Sequence, residues 1–204
     1  AVLDLIHKHK VLAIVGPNAS RYVLPAAAAA EKNETLLISP WSTSPKATMD
    51  EKTGKSRKYI FRACYIDTFQ GSVIAKFILE TMKLKKAAVL YDVDSEYNRG
   101  IAEFFRNAYE KSGGIVAAFE AYKTGQTDFT QQLRRIKAAK PEIVFLPNYY
   151  SEIPLQIRQA KKMGITVPFI GGDAWGSGEL PEKCGPDCEG CYFSSHYAPD
   201  ASTT

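Results

Sequence analysis

The chain is 204 residues long, 45% hydrophobic and 24% charged, with a formal net charge of +4 spread along its length. That is enough for a real core in one large domain or two small ones. The lack of an arginine-rich tract argues against nucleic acid as a partner, and no apolar run approaches the ~20 residues of a membrane span.

The first residues, Ala1 to Lys10, have a helix-like pattern with no initiator Met and no signal peptide, so the chain reads as a processed or trimmed piece. An apolar strand run from Val11 ends at Gly16-Pro17, and a helix pattern starts near Ser20 and runs to Glu31, with Pro25 in its first turns followed by an alanine run. Strand, tight turn and helix N-terminus form a common α/β device for holding an anion, because the first-turn N–H groups lack intrahelical partners. Ser20 adds a hydroxyl there, although a serine at a helix start can also be a plain N-cap. The strand Thr35–Ser39 leads into a second polar loop, Pro40-Trp41-Ser42-Thr43-Ser44-Pro45. In a parallel sheet these loops share the carboxyl edge, where ligands bind. Lys46 to Lys58 reads as an exposed loop or hairpin, and Tyr59–Arg62 as a short third strand.

A boundary falls near Arg62 to Asp67. Beyond it Asp67 opens a long helix, with Phe69, Val73, Phe77 and Ile78 assigned to one apolar stripe, ending near Leu84. A regular alternation follows. Strands are expected at Ala87–Tyr91, Ile115–Tyr122, Glu142–Leu146, Pro168–Gly171 and Gly190–Ser194, with helices at Tyr97–Ser112, Asp128–Ala139 and Glu152–Met163. Such repetition implies a parallel sheet with right-handed crossovers. The strand ends carry Tyr97, Tyr149, and Gly171-Gly172-Asp173-Ala174-Trp175. Hydroxyls and a helix N-terminus in one half, with a carboxylate and aromatics in the other, are the groups an α-amino acid asks for. Taken alone, Asp173 also fits a turn after Gly-Gly, and Tyr149 a core aromatic.

Cys184, Cys188 and Cys191 form a Cys-x3-Cys-x2-Cys cluster without a fourth ligand, and His196 lies at a spacing that fits no common zinc module. The reading adopted is a short-loop disulfide among the three, in an oxidising compartment, and no metal or cofactor. Cys64 reads as a small buried hydrophobe. There is no Gly-x-Gly-x-x-Gly, Walker loop or nucleophile elbow, and His7, His9 and His196 are placed far from the strand-end loops, so no enzyme is expected.

The stretches AIVGPNAS, LLISPWSTSP, FRACYIDTFQG, AAVLYDVDSEYNRG, TDFTQQLRRIKAAKPEIVFLPNYYSE, RQAKKMGI and FIGGDAW cover nearly the whole chain. Together they resemble the periplasmic leucine/isoleucine/valine-type amino-acid-binding proteins of ABC transporters, which have the type I periplasmic-binding fold. The resemblance implies an α/β protein with two lobes of parallel sheet flanked by helices, the first lobe incomplete: residues 1–62 in lobe one, 63–192 in lobe two, and 193–204 crossing back. It implies Ser20 as receiver of a ligand carboxylate, with Trp41, Ser42 and Thr43 as the loop holding carboxylate and amine. Tyr97 and Tyr149 become aromatics facing the cleft, and Asp173 the acceptor for the α-ammonium. Asn18, Asp67 and Trp175 are secondary candidates. For Asp67 and Gln70 a structural role, N-cap and hinge support, is favoured over ligand contact.

The implied function is capture of a branched-chain, apolar or aromatic amino acid by hinge closure of the lobes, and its delivery to a membrane ABC permease from the periplasm or outside the cell. The same clamp could instead serve as the sensing module of a receptor or regulator. An incomplete first lobe also suggests self-association, by a partner copy or a domain swap.

Overall fold

A computed structural model describes residues 1–197. Residues 198–204 of the expected crossover segment lie outside the described residues. The chain divides into two compact units, Ala1–Thr68 and Phe69 onward.

In the first unit, helix α1 (Val2–His7) precedes strand β1 (Ala13–Val15), helix α2 (Ser20–Lys32), and strands β2 (Leu36–Ser39) and β3 (Ile60–Arg62). The strands form a parallel sheet in the order β1-β2-β3. The register aligns Ile14, Leu37 and Ile60 in one row, and all three are buried against Val23, Ala26, Ala27 and Ala30 of α2. The alanines keep the helix close to the sheet at no side-chain entropy cost. Burying each branched side chain of that row contributes roughly 1.5–3 kcal/mol. On the opposite face Val15, Ile38 and Phe61 align, and Val15 stays 80% and Phe61 50% exposed. The polar stretch after β2 folds into a one-turn 3-10 helix at Pro45–Ala47 and a small hairpin bridged at Met49 and Ser56.

Helix α3 (Asp67–Lys76), continued by a π-helical turn at Phe77–Thr81, leads into the second unit. There β4 (Lys86–Asp92), α4 (Glu96–Lys111), β5 (Ile115–Tyr122), α5 (Thr130–Ala139), β6 (Ile143–Leu146), α6 (Ile153–Lys162), β7 (Phe169–Gly171), α7 (Glu179–Cys184) and β8 (Tyr192–Phe193) follow in turn. All strands are parallel, in the order β5-β4-β6-β7-β8. Strand alternation splits the core. Ala87, Val89, Ile143, Phe145 and Ile170 pack with Ile74, Ile78, Ile101 and Phe105 from α3, its π turn and α4. Ala88, Leu90, Val144, Leu146 and Phe169 pack with Leu133, Ile136, Ile153 and Ile157 from α5 and α6. Both faces are thus covered, which is why β6 is buried at every position rather than at alternate ones.

Several expectations are corrected. Phe69 and Val73 are exposed, at 58% and 42%, and the buried face of α3 carries Gln70, Ile74 and Ala75 instead. A glutamine at an inward position hides the true face from an apolar count. Helix α5 starts at Thr130 because the Asp128 carboxylate accepts the Thr130 N–H at 2.9 Å, before the helix proper. Helix α7 was not anticipated. A disulfide joins Cys184 at its end to Cys188, and Cys191 stays outside that bridge. Cys64 is half-buried rather than buried, with its thiol directed at the Ser42 carbonyl at 3.4 Å.

Candidate functional site

In the first unit the candidate residues gather where β1 and β2 end. Ser20 is the first residue of α2 and Ala19 takes the cap position, so Ser20 is not the N-cap. Its hydroxyl lies 2.9 Å from that of Ser42, both buried. The Ser39 hydroxyl donates to the Pro17 carbonyl at 2.9 Å and accepts the Ser42 N–H at 3.0 Å, tying the loops after β1 and β2 together.

Arg62, at the end of β3, holds the second loop from below. Its guanidinium donates to the carbonyls of Ser42 (3.0 Å), Ser44 (2.9 Å) and Pro45 (3.3 Å) and to the Thr48 hydroxyl (2.6 Å). Burial pushes the Arg62 pKa below its ordinary value, against the pull of Cys64 and Asp67. A planar fork of donors suits such a cluster of acceptors, and lysine could not reproduce it. Asp67 is buried, and its N–H donates to the Thr43 carbonyl at 2.9 Å. The Thr43 hydroxyl is buried and makes no hydrogen bond among the described residues. Buried hydroxyls are almost always satisfied, so this one signals a missing partner. Trp41 lies at the surface of the same loop, 36% exposed, and Asn18 is exposed ahead of α2. Ser20, Ser42 and Thr43 therefore make a hydroxyl cradle at a helix N-terminus, an arrangement suited to an anion.

In the second unit the sheet order reverses between β4 and β6, and the crevice at such a reversal is where doubly wound sheets bind ligands. Three candidates come from the carboxyl ends there: Tyr97 after β4, Tyr149 after β6 and Asp173 after β7. The Asp173 carboxylate is 2% exposed. Its Oδ1 accepts from Tyr97 Oη and Gln70 Nε2, each at 2.8 Å, and its Oδ2 lies 3.2 Å from His196 Nε2. The rings of Tyr97 and Tyr149 pack 5.4 Å apart. Gly172 permits this closeness, because a Cβ there would sit 2.6 Å from Tyr97 Oη and 2.8 Å from Gln70 Oε1.

Beneath the cluster, buried Asn148 donates to the Leu90 carbonyl and Gln156 Oε1, each at 2.9 Å, and accepts from Asn98 (3.0 Å) and the Asp92 N–H (3.3 Å). That saturated amide joins the ends of β4 and β6 to α4 and α6.

Two placements differ from expectation. Trp175 is 1% exposed in the core, its indole N–H donating to the Leu146 carbonyl at 3.0 Å. A flat apolar ring one turn past Asp173 is consumed by packing. His196, placed far from the strand-end loops by sequence distance, instead reaches Asp173 from the segment after β8. Residues that sequence reasoning missed are Ser39, Arg62, Asn148 and His196. None carries a local pattern, because each acts on partners distant in sequence. Among the described residues no group of acidic, cysteine and histidine side chains could hold a metal, and no helix is long and apolar enough to cross a membrane.

The model of a family described as "Periplasmic binding protein" matches residues 1–204. The chain belongs to that family. Members of the family are solute-binding proteins. A leucine-, isoleucine-, valine-, threonine- and alanine-binding protein of Pseudomonas aeruginosa is 34% identical over 190 residues, covering 93% of this chain and 49% of that protein. The crystal structure of the leucine-binding protein LivK of Thermotoga maritima superposes with a TM-score of 0.91 at 35% identity, covering 100% of this chain and 56% of that one. The Streptococcus pneumoniae substrate-binding protein LivJ, solved in complex with isoleucine, gives 0.79 at 33% identity over 90% of this chain and 50% of its own. The chain thus spans about half the length of the relatives it matches. The type I periplasmic-binding architecture, parallel sheets flanked by helices, is the one found in both units.

Proposed function

We propose that this chain captures a small α-amino acid, branched-chain or otherwise apolar, for uptake by an ABC transporter. The observation that carries the reading is Asp173. A carboxylate 2% exposed and ringed by an amide, a phenol and an imidazole has no lysine or arginine among its contacts with the described residues. Burying an anion costs several kcal/mol unless a cation compensates it, and an α-ammonium group supplies that cation. Tyr97 and Tyr149 offer apolar surface beside it. Within the first unit, the Ser20, Ser42 and Thr43 hydroxyls suit a carboxylate, and the Thr43 hydroxyl makes no hydrogen bond among the described residues that would compete for one. Trp41 and Asn18 flank that cradle. The names of the relatives, which bind leucine, isoleucine, valine, threonine and alanine, support the substrate class.

On this reading the chain works in the periplasm or outside the cell, and its macromolecular partner is a membrane permease. The test is a thermal-shift screen of amino acids followed by titration calorimetry. A ligand that binds the native state alone raises its melting temperature, by an amount set by concentration over Kd. The expected result is a shift with L-leucine, L-isoleucine or L-valine and none with 4-methylpentanoate, which has the side chain and carboxylate of leucine without its ammonium. Equal shifts with both compounds would refute the role given to Asp173.

A further inference from the structure

We propose that His196 is a further binding-site residue, an internal stand-in for the ligand ammonium that occupies Asp173 in the empty protein and gives it up when the amino acid binds. The proposal rests on the reading of Asp173 as the ammonium acceptor. The division of labour on the carboxylate supports it. Oδ1 already accepts two hydrogen bonds, from Gln70 on α3 and Tyr97 on α4, so its capacity is filled by groups on well-packed helices. Oδ2 has His196 as its contact, at 3.2 Å, so an ammonium that reaches this oxygen takes the place of the imidazole. His196 comes from the segment after β8, a strand of two residues, rather than from a packed helix. Of the three groups on the carboxylate it is the one that no helix carries.

The imidazole is 16% exposed, so moving it gives up packing that the ammonium contact must outweigh, while its chain neighbours Ser195 and Tyr197 are exposed. The other groups facing Asp173 are the Gln70 amide and the Tyr97 phenol, and Tyr149 packs behind Tyr97. Amides do not titrate, and phenols ordinarily do so near pH 10. Imidazole is the side chain whose ordinary titration falls between about pH 5 and 8.

The consequence is a proton linked to ligand binding. An imidazolium on Oδ2 neutralises the charge that should attract the ammonium. When the ammonium takes Oδ2, the imidazolium loses its counter-ion and releases its proton to solvent. Leucine binding should therefore weaken as pH falls through the imidazole range and should release protons within it.

Calorimetry of L-leucine binding in buffers of different ionisation enthalpy, from about pH 5.5 to pH 8, reads both effects, and NMR of the His196 ring protons with and without Asp173→Asn reads the contact itself. For the unaltered chain we expect affinity about tenfold lower at the acid end and a buffer-dependent enthalpy. In His196→Gln, which retains a donor without a titrating ring, we expect both to vanish while leucine still binds. We also expect Asp173→Asn to move the His196 ring-proton signals. An equal pH slope in His196→Gln, or ring-proton signals unmoved by Asp173→Asn, would overturn the proposal and leave the amino-acid reading standing. No leucine binding at any pH, with the ring-proton signals still moved by Asp173→Asn, would overturn the amino-acid reading and the displacement step together.

Discussion

Replacing Asp173 by asparagine separates what the fold needs from what a ligand needs. The asparagine oxygen can still accept from Gln70 Nε2 and Tyr97 Oη, which lie 2.8 Å from Oδ1, and its amide can face His196 Nε2. The empty protein therefore keeps its hydrogen bonds and loses a buried negative charge that costs several kcal/mol to desolvate. At about pH 8, above the ordinary imidazole range, the melting temperature of the ligand-free variant should be unchanged or higher. Alanine is different, because it abandons the Gln70 and Tyr97 donors, at about 1–3 kcal/mol each, and should cost roughly 2–6 kcal/mol in all. For a bound amino acid, losing one charge-assisted hydrogen bond costs about 1.5–3 kcal/mol, which is about 10- to 150-fold in Kd. Urea unfolding without ligand and calorimetry with L-leucine measure the two quantities separately. Should Asp173→Asn lose more than about 2 kcal/mol of stability while binding leucine undiminished, the acid is a structural group. The ammonium assignment then fails.

Three further outcomes are expected. Gly172→Ala forces a methyl against Tyr97 Oη and Gln70 Oε1, so it should cost about 1–3 kcal/mol in urea unfolding and weaken leucine binding about tenfold. Arg62→Lys keeps the charge but reaches fewer of the four acceptors on the Ser42–Thr48 loop; a loss of about 2–3 kcal/mol is expected, read as a lower urea midpoint at constant m-value. Burial, with Glu142 nearby, pushes the Tyr109 phenol up to about 12, while it donates to the Leu84 carbonyl at 3.0 Å. A raised folded pKa means that the folded state holds its proton after the unfolded chain has lost it. The contribution is therefore whole below about pH 10 and fades as pH climbs to about 12. Tyr109→Phe should lack that alkaline decline, as followed by circular dichroism.

The order of strands and helices was legible because each buried strand is a short apolar run closed by Gly, Pro or polar residues, and each helix repeats at helical spacing. The hydroxyl loop was legible too, since Ser20 and Trp41–Thr43 follow directly on strand ends. Side-chain partners across long separations were not. Gln70 and Asp173 are 103 residues apart, and no pattern local to either anticipates their bond. The same glutamine explains the misassigned face of α3: an apolar count favours Phe69 and Val73 over a polar residue that is buried for its hydrogen bond. His196 was misplaced because distance along the chain stood in for distance in space. Helix α7 escaped notice because it is six residues long and contains Pro181.

The row formed by Val15, Ile38 and Phe61 bears on handling the molecule at the bench. Greasy side chains aligned across a three-strand ribbon, with the backbone of β1 and β3 paired on one side alone, are what makes a chain stick to itself, to plastic and to dyes. An environment-sensitive fluorophore such as anilinonaphthalene sulfonate should light up on this chain. A lysine at Val15 or Phe61 should dim it and raise solubility without disturbing Asp173.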